Sequence, residues 1–160
     1  MRIQGVLQEL PFFASLTDSE LDLIMSISRL VEGNAGDSLI REGEQVRTLY
    51  VMLSGEAEVI RVDAKWNRVV IASVGKGALL GEMSLVDSAP ASATIEAKGA
   101  FRALAIEQEK FNRLTEEHPN LGCKIFKQIA RTTSHRLRKT SGLLAEYMPL
   151  SSPSGDDLGE

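Results

Sequence analysis

Residues 81–94 read GEMSLVDSAPASAT and combine a glycine turn, a short helical run and a proline. Gly81 and Glu82 open the helical run, and Pro90 fixes the backbone ahead of the small residues that lead into a strand. A turn that leads into a helix start is typical of segments whose backbone N–H groups bind an anion. We call residues 81–94 the cassette and treat it as the candidate ligand-binding segment.

Short runs rich in β-branched and aliphatic residues lie on both sides of the cassette and are separated by glycines. Short strands joined by glycine turns predict an antiparallel barrel or jelly roll. Asp63–Asn67 reads as a polar hairpin tip that carries the single tryptophan. The predicted strands are Ser38–Arg41, Thr48–Leu53, Ala57–Val62, Arg68–Val74, Ala93–Ala97 and Phe101–Ile106.

Helical patterns flank the predicted strands. The capping-box sequence Thr17–Glu20 predicts a helix over about 18–30. A second helix is predicted over 107–117. The sequence His118-Pro119 ends it, because the residue before a proline disfavours the helical conformation, and Pro119 suits the first position of a long helix to about Met148. The fold class is therefore α+β, an antiparallel β-roll with an N-terminal helix, a short cassette helix and a long C-terminal helix.

The length of 160 residues suits one domain. We expect this domain over 1–148, with the β-roll and its flanking helices at about 10–118 and the long helix at 119–148. Residues 149–160 are small, polar and acidic, which predicts a disordered tail.

Composition restricts the class of protein. Hydrophobic residues make up 43% and charged residues 25% of the chain, as in ordinary globular domains. No apolar run approaches the length of a membrane span, and the N-terminus lacks a secretory signal pattern. The single cysteine, Cys123, cannot form an internal disulfide, which fits a reducing cytoplasm, and we expect it in the core or an interface.

The net charge of −4 is distributed unevenly. Six Lys or Arg and no acid lie between Pro119 and Ala145, whereas the remainder has 12 basic and 22 acidic residues. This basic stretch is either a solvated helix face or a docking surface for an anionic partner. The same helix carries apolar residues at a spacing of three and four, which predicts a homodimer through it. The apolar stripe comprises Phe126, Ile129, Leu137 and Leu144.

Taken in order, these segments resemble the cyclic-nucleotide-binding domain of the catabolite-activator and protein-kinase-A regulatory type, over roughly residues 10–148. The resemblance is carried by LPFFASLTDSELDLI, EGNAGDSLIREGE, LYVMLSGEAEVI and GKGALLGEMSLVDSAPASAT. It implies an eight-stranded β-roll that holds a cyclic nucleotide beneath the long helix. Winged helix-turn-helix sequence does not follow that helix, so we expect a stand-alone domain without sequence-specific nucleic-acid binding.

The resemblance also implies roles for cassette residues. Glu82 matches the glutamate that binds the ribose 2′-hydroxyl, and Ser92 matches a serine that can donate to the phosphate. The cassette backbone around the phosphate corresponds to Gly81, Met83, Ser84 and Ala93. On the long helix, Thr133 and Arg136 are candidates for contacts with the base, beside Thr132, Ser134 and Thr140.

Ala91 departs from the family pattern, because the family has an arginine there that pairs with the phosphate. A charge-assisted hydrogen bond of this kind contributes about 1.5–3 kcal/mol. Its loss predicts binding that is roughly ten- to a hundredfold weaker. The sequence does not rank the cations that could replace it, which are Arg47, Lys65, Arg68, Lys76 and Arg102.

The predicted function is that of a non-enzymatic regulatory sensor, with no metal and no resident cofactor. It would bind cAMP or cGMP weakly, or another anionic nucleotide or metabolite, and signal to an unidentified protein partner. The alternative is a degenerate domain that has lost the ligand and acts as an interaction or dimerisation module. His118 and His135 have no neighbouring acid, cysteine or second histidine at catalytic or metal-binding spacing.

Overall fold

A computed structural model describes residues 3–147, in which five helices and eight strands follow one another along the chain. The helices are α1 (Ile3–Gln8), α2 (Asp18–Ser26), α3 (Glu82–Asp87), α4 (Gln108–Glu117) and α5 (Pro119–Tyr147). The strands are β1 (Ser28–Gly33), β2 (Ser38–Ile40), β3 (Thr48–Ser54), β4 (Ala57–Val62), β5 (Arg68–Val74), β6 (Leu79–Leu80), β7 (Thr94–Ala97) and β8 (Phe101–Glu107). The predicted tail at 149–160 lies outside the described residues.

The strands form two antiparallel four-stranded sheets, in the orders β1-β8-β3-β6 and β2-β7-β4-β5. Side chains from both sheets share one apolar cluster, to which the first sheet contributes Met52 and Ala103 and the second contributes Ile40 and Ile95. Burial of such a cluster is the main favourable term in folding. The predicted fold class, an eight-stranded antiparallel roll with a cassette helix and a long C-terminal helix, is confirmed.

The predicted helix over 18–30 is too long, because α2 ends at Ser26 and β1 begins at Ser28. The Ser28 hydroxyl donates to the Ile24 carbonyl at 2.5 Å, satisfying one of the last helix acceptors. Residues 28–33 then pair with 101–106 of β8. The conformation of this segment is decided by pairing with a strand about seventy residues away in the sequence. The spacing of neighbouring apolar residues gives no information about that partner.

The hairpin between β4 and β5 is closed by Asp63, whose Oδ1 accepts from the backbone N–H groups of Lys65 and Asn67 at 2.8 Å each. Hydrogen bonding, first from the Asn67 backbone, lowers the pKa of the Asp63 carboxyl. Trp66 sits at the tip with φ of 65° and is 87% exposed. A positive φ is unfavourable for a bulky residue, so the turn holds the indole in solvent at some conformational cost.

The described chain falls into two compact units, one up to Phe126 and one from Lys127 onward. The second unit is the remainder of α5, in which Leu137 is 65% exposed and Leu143 and Leu144 are also exposed. Cys123 was expected in the core or an interface; it is exposed in the single chain, so the core placement is wrong. No helix among residues 3–147 combines the length and apolarity needed to cross a bilayer.

In the first unit, the start of α2 is joined to α5 through Glu20. The predicted capping box is confirmed, since the Thr17 N–H donates to Glu20 Oε2 at 2.8 Å and the Glu20 N–H donates to Thr17 Oγ1 at 3.3 Å. The Lys124 ammonium lies 2.8 Å from the same carboxylate. Hydrogen bonds from Lys124 and then from the Thr17 backbone lower the pKa of Glu20.

We predict that Glu20→Gln lowers the free energy of unfolding by about 1 kcal/mol at pH 7, because glutamine keeps the cap and removes the ion pair. The folded-state pKa of Glu20 is below its ordinary value of 4.5, so this stabilisation is present above 4.5 and is lost as pH falls through the folded-state value. Urea unfolding of both proteins from pH 7 to pH 3 measures the difference, which should shrink toward zero.

The control is Glu9→Gln, which removes the ion pair between Glu9 and Lys76, at 3.6 Å and more exposed on both sides. Exposed pairs contribute little, so this variant should unfold like the wild type. Equal effects of the two substitutions would contradict a specific role for the Glu20–Lys124 pair.

Candidate functional site

The cassette forms a short helix between two left-handed turns. Gly81 precedes α3 with φ of 83°, and Ser88 ends it with φ of 56° and an N–H bond to the Ser84 carbonyl at 3.0 Å. The Asp87 carboxylate then accepts from the Ala89 N–H at 2.9 Å, which turns the chain toward Pro90. Both ends of the cassette helix are therefore fixed by local backbone geometry.

Gly81 is placed where a side chain would not fit. A Cβ there would lie 2.9 Å from the Thr48 carbonyl oxygen and 3.0 Å from Cγ1 of Val46. Its positive φ is also one that residues with a side chain rarely adopt. Glycine at this position thus permits the start of β3 to approach the cassette helix.

The segment between β2 and β3, residues 41–47, runs along the cassette; we call it the β2–β3 segment. Four hydrogen bonds join the two. They are Glu42 N–H to Thr94 Oγ1 at 3.0 Å, Gly43 N–H to the Ala91 carbonyl at 2.8 Å, Ala91 N–H to the Glu44 carbonyl at 2.9 Å, and Gln45 Nε2 to the Ser88 carbonyl at 3.1 Å. The N–H and C=O of Ala91 are both used in this way, so a ligand would find amide donors elsewhere in the cassette.

Sequence reasoning named Arg47 of the β2–β3 segment as a candidate cation but missed the hydrogen bonds between this segment and the cassette. Gly43, with φ of 81°, lies within the polar run REGEQ between two strands. That signal indicates a turn but does not identify what the turn contacts.

Two polar residues of the cassette helix are buried, Glu82 at 4% exposed and Ser84 at 5%. Every buried side-chain N or O atom in the described part of the chain has a hydrogen-bond partner, so the Glu82 carboxylate is satisfied. The Ser84 carbonyl accepts from Nε2 of Gln108 at 3.2 Å, which links the cassette to the first residue of α4. Glu82 is thus a buried acid at the start of the cassette helix.

Ala91 is 8% exposed and belongs to the apolar cluster between the sheets, together with Ile40 and Val46. Ala93 is also buried, whereas Ser92 and Met83 are exposed. The methyl group of Ala91 therefore packs among aliphatic side chains. An arginine at this position would place its charged guanidinium beside the aliphatic side chains of the cluster.

The five candidate cations differ in what they already contact. Arg68 pairs with Glu96 at 2.7 Å, Lys76 with Glu9 at 3.6 Å and Arg102 with Glu32 at 2.9 Å. Lys65 lies in the hairpin tip, and Arg47 lies in the β2–β3 segment beside the cassette. Within residues 3–147, neither Lys65 nor Arg47 has a carboxylate within ion-pair distance.

The structure collects seven of the nine predicted site residues in one segment, namely Gly81, Glu82, Met83, Ser84, Ala91, Ser92 and Ala93. The other two, Thr133 and Arg136, are exposed residues of α5 in the second unit. Across the described residues, no group of three or more His, Cys, Asp or Glu could hold a metal ion.

Comparison with known proteins identifies a family and relatives that match this chain. The family described as "Cyclic nucleotide-binding domain" matches residues 30–118. The cAMP-dependent protein kinase regulatory subunit of Blastocladiella emersonii is 32% identical over 111 residues, which are 69% of this chain. The match spans only 28% of the length of that protein.

Two solved structures share the fold. A cyclic nucleotide-binding domain from Methylobacillus flagellatus superposes with a TM-score of 0.81 at 24% identity, over 94% of this chain and 85% of that one. The regulatory subunit of a cAMP-independent protein kinase A from Trypanosoma brucei, a triple mutant bound to cAMP, gives 0.72 at 25% identity, over 81% of this chain and 45% of that one.

We predict that Gly81→Ala destabilises the protein by about 2–4 kcal/mol, through a left-handed backbone and an overpacked contact. Gly36→Ala is the matched control, because Gly36 has a similar φ of 87° but open space at the Cβ position. The control should lose about 1 kcal/mol, from the backbone conformation alone. Thermal unfolding of both variants measures the difference, and equal losses would mean that the contact with Val46 and Thr48 imposes no constraint.

Proposed function

This chain belongs to the cyclic nucleotide-binding domain family, and we propose that it is a non-enzymatic sensor that binds a cyclic nucleotide weakly and signals to a protein partner. The observation that carries the proposal is the contrast within the cassette between Glu82 and Ala91. The carboxylate is retained and buried at the start of α3, whereas alanine occupies the place of the family arginine.

Retention of Glu82 supports a ligand that carries a hydroxyl. The Glu82 carboxylate is buried and already has a partner within the chain, so this support comes from its match to the family position and not from an unsatisfied group. A ribose 2′-hydroxyl is a suitable donor for such a carboxylate, as the family resemblance implies. The ligand we propose is cAMP or cGMP, with another anionic nucleotide or a related anionic metabolite as the broader class.

Weak binding follows from the charges of the cassette. Residues 81–94 contain no Lys or Arg, and they contain the acids Glu82 and Asp87. A phosphate in this segment would lack the charge-assisted bond that the family arginine provides, which corresponds to roughly ten- to a hundredfold in affinity. The Trypanosoma brucei structure bound to cAMP includes a substitution of threonine by arginine, and the same kind of change can be tested here.

A protein partner and a second copy of the chain are proposed on the basis of α5. Its part from Lys127 onward carries five Lys or Arg before its first acid, Glu146, and it exposes leucines. A helix of this length that exposes apolar side chains gains stability by packing against another surface. Ile129 of the apolar stripe is only 4% exposed within the single chain, so it is not available to a second copy. We propose a homodimer through the exposed members of the stripe, Phe126, Leu137 and Leu144, without sequence-specific nucleic-acid binding. The single cysteine suits a reducing cytoplasm.

The second candidate function is a dimerisation or interaction module without a ligand. It is favoured by the packing of Ala91 in the apolar cluster, because this position then serves the core and needs no ligand. The two functions predict different affinities for cAMP or cGMP when an arginine is placed at position 91.

We predict that Ala91→Arg raises the affinity for cAMP or cGMP by one to two decades, because the guanidinium pairs with the cyclic phosphate. The unliganded variant should be less stable than the wild type, since an unpaired cation would enter the apolar cluster. Calorimetric titration at fixed salt measures affinity, and thermal unfolding measures stability. The matched control is Ala89→Arg, which adds the same charge at an exposed cassette position.

Glu82→Gln in the Ala91→Arg background should remove much of the gain if the carboxylate binds the ribose. If neither the wild type nor a folded Ala91→Arg protein binds cAMP or cGMP, the sensor function is rejected and the interaction module is favoured. Tight binding by the wild type would instead show that another cation or the backbone amides already bind the phosphate. Equal gains in both variants would show attraction by net charge rather than a pocket.

We predict that Leu137→Glu shifts the protein from dimer to monomer, because it places a charge in the apolar stripe. His135→Glu is the control, since His135 lies on another face of the same helix, two residues away. Light scattering over a wide concentration range measures the oligomeric state. A wild-type monomer at all concentrations would remove the dimer from the proposal.

A further inference from the structure

We infer that Ser141, on α5, is phosphorylated by a Ser/Thr protein kinase and that the added phosphate dissociates the dimer. The second part rests on the proposed function, because it regulates the homodimer proposed through α5. The phosphoryl donor is ATP, and the kinase is one whose substrate groove is acidic.

The first support is the sequence that precedes Ser141. Residues 138–141 read RKTS, so Arg138 and Lys139 lie three and two residues before the serine. Kinases select substrates partly by the pattern of charge around the acceptor, and an acidic groove favours cations at these two positions. No other Ser or Thr in the 160-residue sequence has a cation at both positions, which distinguishes Ser141 from every other hydroxyl of the chain.

The second support is the accessibility of the Ser141 hydroxyl. Every residue from Thr133 to Glu146 is exposed, and within residues 3–147 the Ser141 side chain has no hydrogen bond. The neighbouring Thr140 differs, because its hydroxyl donates to the Arg136 carbonyl at 3.0 Å. The Ser141 Oγ is therefore available to a reagent from solvent.

The third support is the weakness of the helix around Ser141. A kinase binds its substrate as an extended segment, so α5 must unwind locally before transfer. Thr140, Ser141 and Gly142 are consecutive weak helix formers, and the bond from Thr140 to a carbonyl one turn earlier weakens the helix further. Because no side chain between Thr133 and Glu146 is buried in the single chain, unwinding there exposes no apolar core.

The chemistry at Ser141 is a phosphoryl transfer. Its Oγ forms a bond to the γ-phosphorus of ATP while the bond from that phosphorus to the bridging oxygen of ADP breaks. The hydroxyl proton passes to the catalytic aspartate of the kinase, and ADP leaves. Ser141 then carries about −1.5 to −2 charges in place of a neutral hydroxyl.

The position of Ser141 on α5 relates this charge to the dimer. Leu137 lies four residues before it and Leu144 three residues after it, so the three side chains are neighbours on one side of the helix. Both leucines are exposed members of the apolar stripe. A phosphate beside them would lose water on association, and each copy of the chain would bring one, so like charges would meet at the interface. Phosphorylation thus favours the monomer.

The first test treats the full chain with Mg-ATP and a purified kinase selective for arginine three residues before the serine, and locates the phosphate by mass spectrometry. We expect phosphate on Ser141 in the wild type and none at this position in Ser141→Ala. Arg138→Gln should be phosphorylated roughly tenfold more slowly, because it removes a charge-assisted contact with the kinase. Ser134→Ala is the matched control, since Ser134 is exposed on the same helix and follows the single cation Arg131 by three residues. It should react like the wild type.

The second test compares the unmodified and the fully phosphorylated wild type by light scattering over a wide concentration range. We expect phosphorylation to raise the dimer dissociation constant by roughly tenfold or more. Ser141→Ala treated with the same kinase and ATP is the control, and its dissociation constant should not change.

No phosphate on Ser141, or equal labelling of Ser134 and Ser141, would overturn the inference. An unchanged dissociation constant after phosphorylation of Ser141 would overturn the regulatory part. If the unmodified wild type is already a monomer, the proposed homodimer fails and the regulatory part falls with it, whereas mass spectrometry decides the modification site independently.

Discussion

Gly81 lies where the start of β3 contacts the cassette, and the absence of a side chain there permits the contact. The Thr48 carbonyl and the Val46 side chain occupy the space that a Cβ would need. Because β3 begins at this contact, the β2–β3 segment must follow the cassette along its length, which aligns its four hydrogen bonds. A side chain at position 81 would therefore disturb the contact that holds the β2–β3 segment beside Glu82 and Ala91.

The residue at position 91 affects the stability of the domain when no ligand is bound. A cation in the apolar cluster would be unfavourable whenever the pocket is empty, because its charge would be desolvated without a partner. Alanine at position 91 avoids that cost and completes the packing with Ile40 and Val46. Under the function we propose, the same alanine weakens the contact with a phosphate and stabilises the unliganded domain.

Local sequence signals predicted the parts of the fold that depend on local physics. The capping box at Thr17, the hairpin closed by Asp63 and the helix start at Pro119 each use neighbouring residues and were predicted correctly. The first half of β1 was predicted as helix and β6 was not predicted, because both strands depend on distant partners. The cassette could be identified from its residues, whereas the contact with the β2–β3 segment depends on hydrogen bonds between residues about fifty positions apart.

The exposure of Trp66 has a consequence for spectroscopy. Tryptophan emission reports mainly on the polarity around the indole, and this indole is already surrounded by solvent in the folded protein. Its emission should thus change little when the chain unfolds, although it is the single tryptophan. The same property makes it a sensitive label for anything that covers the β4–β5 hairpin. A blue shift would report contact at that tip rather than a change in folding.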